Sequence, residues 1–345
     1  MKRGVISIIF GAVCLLTAGC TSTEVQTDNA KSGSAETEKP QVQTVSSLSD
    51  ERTSRFSIDG QEFQLSFLHN EVLDFAKTVK ADSSLVIKEV YGEKVIDPLY
   101  QRIADSGAQT YYELESLLFP NTNPQKLEVS TKELMVKEED IADLIEEALE
   151  DSSGMLPGLN KTIIAMPVNP LDVMTIESRG GVNGLALSEN LILLQVSPSF
   201  DEDILKFTVA MLYHTTVQTE YMADMYETLM ESFVVDGKAA AFAHQVYPET
   251  AVSWTQPLSD ELMVQMFEEL KESGNDLDHY WEFEGSARRG IPPWTNFKLG
   301  YEITQSYLRN HPEAGIEEWT SLLPLEIING SDYIEKFREL QTITD

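Results

Sequence analysis

Histidines, cysteines and paired carboxylates are the usual parts of a metal or nucleophilic site, and this chain has few of the first two. Its five histidines, His69, His214, His244, His279 and His311, stand far apart in sequence. Its two cysteines, Cys14 and Cys20, both fall within the first 20 residues, so the rest of the chain holds no thiol chemistry, disulfide or cysteine-ligated metal. Ser188, Ser197 and Ser232 lack the context of a nucleophile elbow, and no phosphate-binding glycine loop or dinucleotide fingerprint occurs. One residual ligand set is open: His214, Asp236 and His244 would converge if the helices carrying them pack antiparallel. The plainer alternative makes His214 an ordinary helix residue and His244 a surface one. Arg179-Gly180-Gly181 reads as a hairpin turn and Arg288-Arg289 as a solvated loop, while tryptophans such as Trp294 default to core packing.

The elements that must position these residues follow from spacing. Of 345 residues, 57 are acidic and 25 basic, a net charge of −32, which excludes a nucleic-acid binder because phosphates need a basic surface. Phe56 and Ile58, then Asp59-Gly60, then Phe63, Leu65 and Phe67 predict a hairpin with a type I′ turn. Val72, Phe75, Ala76 and Val79 share a helical face, with Asn70 as the expected cap. Further helices are expected over 86–106, 111–118 and 138–150. In the last of these Ile141, Leu144, Ile145 and Leu149 form the apolar stripe, and the glutamates form a solvated face with no calcium-loop pattern. Strands are expected over 162–166, 173–177 and 191–196, followed by long helices over 202–229 and 231–246 and a helical region from 296 onward. The order is a helical N-terminal region, a small β-sheet, then helices, an α+β class.

At the N-terminus, Lys2 and Arg3 precede an apolar run over 5–16 that is short for a bilayer and ends in small residues, as signal peptides do. The segment Leu16-Thr17-Ala18-Gly19-Cys20 resembles the lipobox of bacterial lipoproteins. That resemblance implies cleavage before Cys20, lipid on its thiol and new amino group, and a cell-membrane location on the extracytoplasmic face. Residues 1–19 are then the signal peptide and 20–53 the lipidated cysteine with a disordered tether, since that stretch lacks the apolar content to pack. Residues 54–154 form a mostly helical region with a hairpin, and 155–342 a second domain.

That second domain carries a family resemblance. Residues 208–217 read Thr-Val-Ala-Met-Leu-Tyr-His-Thr-Thr-Val and resemble the zinc helix of predicted zinc-dependent peptidases, minimal gluzincins that usually read V-A-H-E-Y-H-H. Gly184-Leu185-Ala186-Leu187-Ser188 and the strand after it resemble the glycine-led strand before that helix. Residues 231–243 (E-S-F-V-V-D-G-K-A-A-A-F-A) are similar to the second helix, which supplies the third ligand from Glu-Gly-Leu-Ala. Ile291-Pro292-Pro293-Trp294, Leu299-Gly300-Tyr301 and the segment 322–333 are similar to the closing pieces, so the likeness spans about 155–340.

Where the resemblance implies zinc ligands and a base, this chain departs. The first zinc histidine falls on Met211, the catalytic glutamate on Leu212, the second histidine on Thr215, and the third ligand on Asp236. Phe297 stands where the family usually has a tyrosine. A catalytic zinc needs three protein ligands, an open position and a base, so the resemblance implies a pseudopeptidase without cofactor that binds a peptide or protein in the former cleft. An active zinc peptidase with unusual ligands, and a structural surface lipoprotein with no ligand, are the alternatives. Cys20→Ala should abolish anchoring: alkyne fatty acid should label the wild type in cells and leave the variant unlabelled, and equal labelling would refute the lipobox.

Overall fold

A computed structural model describes residues 53–222 and 226–341. The expected signal peptide, Cys20 and nearly all of the expected tether lie outside the described residues. β1 (Thr53–Ile58) and β2 (Gln61–Phe67) form the hairpin, and Asp59 and Gly60 at its turn have φ angles of 48° and 89°, as a type I′ turn requires. Across it, the rings of Phe56 and Phe63 stack at 5.3 Å. A helical excursion follows: α1 (His69–Ala81), α2 (Ile87–Tyr91), a π turn (Gly92–Ile96), α3 (Asp97–Asp105), α4 (Leu114–Leu117), α5 (Pro124–Val136) and α6 (Glu138–Met155). It returns the chain to β3 (Lys161–Pro167), parallel to β2. β4 (Val182–Ser188) and β5 (Leu191–Val196) complete the sheet. β5 runs parallel to β3, and β4 runs antiparallel to β5.

The strand order β1-β2-β3-β5-β4 leaves β4 at one edge and β1 at the other. Among the described residues eight α-helices follow the sheet: α7 (Glu202–Tyr221), α8 (Leu229–Val246), α9 (Asp260–Glu272), α10 (Tyr280–Phe283), α11 (Thr295–Asn310), α12 (Ile316–Ser321), α13 (Pro324–Gly330) and α14 (Ile334–Gln341). The class is α+β. β3 is buried at all seven positions, because helices cover both faces of the sheet and a strand so placed reads as a continuous apolar run. Ile163 and Ala165 join the core shared with α6, α7, α8 and α11, whereas Ile164 and Met166 join the core shared with α1, α3 and α5.

Several expectations need correction. Residues 173–177 form no strand: Met174–Ser178 is a π turn, held by the Asp172 carboxylate, which accepts from the Thr175 amide (3.0 Å) and hydroxyl (2.6 Å). The sheet position beside β5 is taken by β4 instead. Asn70 is not the cap of α1, whose cap position is Leu68. Helix α5 was not expected, although Asn123 caps it at Lys126 N–H (3.1 Å) and Pro124 fills its first position. Helix α9, capped by Ser259, was likewise unexpected. The break between α7 and α8 is longer than expected, and α8 restarts in a capping box of Thr228 and Glu231.

One contact fixes how the C-terminal helices cross. Gly237 of α8 and Gly300 of α11 meet backbone to backbone: a Cβ on Gly300 would lie 1.6 Å from the Phe233 carbonyl oxygen, and one on Gly237 would lie 1.9 Å from the Gly300 carbonyl carbon. No side-chain adjustment relieves a clash with backbone, so the helices must separate if either residue gains a methyl group. Gly300→Ala is therefore expected to cost about 3 kcal/mol or more, read from urea unfolding. An unchanged midpoint would show that the crossing is not so tight.

Candidate functional site

Helix α7 lies against the sheet with its start capped by Asp201, whose carboxylate accepts from Ile204 N–H at 3.0 Å. Its buried side includes Leu205, Val209, Tyr213, His214 and Val217. Tyr213 donates its hydroxyl toward Leu156 O (2.8 Å) and lies 3.0 Å from Gln61 Oε1. The remaining stripe, Thr208, Met211, Leu212, Thr215 and Thr219, is half-buried. It recurs at three- and four-residue steps and so forms one face. Leu212 closes this face against β4, since its Cδ1 lies 2.5 Å from where a Cβ on Gly184 would stand. The α7 residues aligned with the zinc ligands and base thus line the floor beneath the edge strand.

That floor does not fit a zinc ion. Met211 offers a thioether and Leu212 nothing, and the Thr215 hydroxyl donates to its own helix at Met211 O (3.1 Å). Asp236 is the one carboxylate at the four aligned positions. Among the described residues no group of three or more His, Cys, Asp or Glu side chains is placed to hold a metal.

Nor do His214, Asp236 and His244 converge, because their side chains leave the helices in different directions. His214 is fully buried on the far side of α7, its ring 5.1 Å from that of Phe242 and 5.2 Å from that of Trp319. Its Nε2 lies 3.1 Å from Thr320 Oγ1. Burial, reinforced by nearby Lys238, holds the ring well below its ordinary pKa, so it is neutral. His244 is half-buried, with its ring edge-on to Tyr301 at 6.1 Å. Phe297 sits half-buried in the first turn of α11, 6.5 Å from the Trp294 ring.

Asp236 instead joins a polar network that spacing alone did not reveal. Tyr280 donates its hydroxyl to Asp236 Oδ2 at 2.7 Å, and Asn296 Nδ2 lies 3.1 Å from the Tyr280 hydroxyl and 3.5 Å from the same Oδ2. Burial pushes the Asp236 carboxyl up to about 7; the bond from Tyr280 opposes that shift, and nearby Glu284 adds to it. Arg179 links this region to the edge strand. It donates to Asn183 Oδ1 at 2.6 Å, pairs with Glu284 at 3.4 Å, and lies over the Trp294 ring at 4.5 Å. Of these partners only Arg179 and Trp294 were singled out from sequence, as a turn residue and a core residue. The aromatic run Tyr280-Trp281 beside Glu282 was the one available signal for the rest.

An edge strand antiparallel to its neighbour β5, a helix packed against it and a second helix bearing a carboxylate make up the candidate site. Residues 141–329, more than half of the chain, match the model of the family described as predicted Zn-dependent protease (DUF2268), and the chain belongs to that family. No curated protein and no solved structure matches it.

The raised Asp236 carboxyl has a measurable consequence. With an ordinary value of 3.8 and a folded value of about 7, the folded state retains a proton that the unfolded chain has lost between those pH values. Wild type should therefore lose stability relative to Asp236→Asn as pH rises from about 4 to about 7. The relative loss should be on the order of 1–3 kcal/mol after discounting for partial exposure, with no further change above that window. Urea midpoints of the two proteins at four pH values measure the difference, and parallel profiles would contradict the assignment.

Proposed function

We propose that the chain is a membrane-anchored, extracytoplasmic pseudopeptidase that holds an extended peptide along β4 without cutting it. The observation that carries this reading is the donor set on α7: in a chain of a predicted zinc-protease family, Met211, Leu212 and Thr215 supply neither two nitrogen ligands nor a base.

The β4 edge supports the binding half of the proposal. Ser197 N–H donates to Gly181 O at 2.8 Å and sets the phase of the β4–β5 ladder. By strand alternation Gly184 and Ala186 then turn their backbone N–H and C=O groups outward. At the far end, where a bulge between Ala186 and Ser188 breaks the alternation, Leu187 O accepts from Tyr111 N–H of the segment after α3 at 3.0 Å. An extended peptide fits such an edge by continuing the ladder. The lipobox spelling at Cys20 supports the anchoring half, and the membrane is the second partner.

The chemistry is tested by rebuilding the spelling. Wild type should show no proteolysis of casein that a chelator abolishes and zinc restores. The variant Met211→His/Leu212→Glu/Thr215→His should be less stable than wild type without metal, because it buries polar groups that lack partners, each costing about 1–3 kcal/mol. Zinc should raise its melting temperature and leave wild type unmoved. Chelator-sensitive cleavage by wild type would overturn the proposal, and no zinc response in the variant would show that the three positions do not converge on Asp236.

A further inference from the structure

The Asp236 end of the cleft carries more acceptor chemistry than the fold uses. Asp236 forms no ion pair among the described residues, and its hydrogen-bond partners Tyr280 and Asn296 are neutral. The nearest cation, Arg179, is already engaged by Glu284, Asn183 and the Trp294 ring. Asn296 is 0% exposed, yet while its amide nitrogen faces Tyr280 and Asp236, the oxygen of the same amide has no partner. A buried acceptor left unmatched is costly unless something else supplies a donor.

An exposed aromatic ring is tied to this carboxylate through Tyr280. Trp281, 68% exposed, stands edge-on to Tyr280 at 5.3 Å. An exposed aromatic ring near a half-buried carboxylate suits a cation: the ring attracts it through its quadrupole and the carboxylate through its charge. The net charge of −32 favours approach of the same kind of ligand.

We propose that the Asp236 end of the site seats a cationic nitrogen group of the bound peptide, an ammonium or guanidinium, against Asp236 and Trp281. The inference rests on the reading of β4 as a peptide-binding edge and names the group that such a peptide must present. A lysine or arginine side chain and a free peptide N-terminus share this chemistry.

The test uses full-length protein in detergent at pH 8 and fluorescein-labelled peptides Ser-Thr-Val-Ser-Xaa-Ser-Val-Thr-Ser, read by fluorescence anisotropy. Acetylated peptides carry lysine, arginine, norleucine or glutamate at Xaa, and a further norleucine peptide has a free N-terminus. Lysine and arginine peptides are expected to bind about tenfold tighter than acetylated norleucine, with glutamate weakest. Asp236→Asn and the exposed-site variant Trp281→Ala should each erase most of that preference. A gain confined to the free N-terminus would identify the terminal ammonium as the seated group. Equal binding of all peptides would overturn the cation seat and leave the edge-strand reading standing. Binding of none of them would overturn both.

Discussion

The contact between Gly237 and Gly300 sets the geometry on which the cleft depends. Two helices that touch through backbone cannot slide or rotate without losing the close approach, so their neighbouring residues are placed by the same contact. Asp236 precedes Gly237, and Asn296 lies one turn before Gly300, so the polar network at the end of the cleft inherits its spacing from a crossing that contains no polar side chain. On the next residue, Lys238 turns to the interior and donates to Thr320 O (2.8 Å) and Leu322 O (2.7 Å), tying α8 to the end of α12. Burial pushes its ammonium down to about 7. Its two carbonyl partners satisfy its protons as a helix terminus does for any nearby cation.

The same region shows what joins the helices of this family member. A zinc site joins two helices through bonds to side chains of both. Here α7, α8 and α12 are joined by His214 stacked between Phe242 and Trp319, by its contact with Thr320, and by the Lys238 bonds. These groups are buried on the side of α7 away from β4. Cohesion thus falls mainly on the face of α7 turned away from β4, while Met211 and Leu212 on the other face still pack against the core.

How much of this was legible depends on whether the signal is local. The hairpin was readable because Asp59-Gly60 and alternating Phe56, Ile58, Phe63 and Leu65 agree on one answer. The strand over 191–196 matched because a short apolar run buried on both faces has few other conformations. Residues 173–177 misled because Val173, Thr175 and Ile176 are β-branched and favoured in strands, whereas the Asp172 side chain competes for the backbone and closes a turn. Helix α5 was missed because polar residues dominate its faces. At the site, the register of Met211, Leu212 and Thr215 on α7 followed from spacing within one helix. The partners of Asp236 did not, since Arg179, Tyr280 and Asn296 come from three separate segments joined only by tertiary packing.

The sheet order separates two demands on the chain mechanically. Whatever precedes residue 53 enters the fold at β1, while the exposed ladder of β4 lies at the other margin, four strand spacings or roughly 19 Å away. A pull applied through the N-terminal end loads the β1–β2 hairpin first. The interior strands β3 and β5, hydrogen-bonded on both sides, stand between that load and β4. Tension at one margin is therefore absorbed before it distorts the other, and the far edge keeps its shape while the N-terminal end is under load.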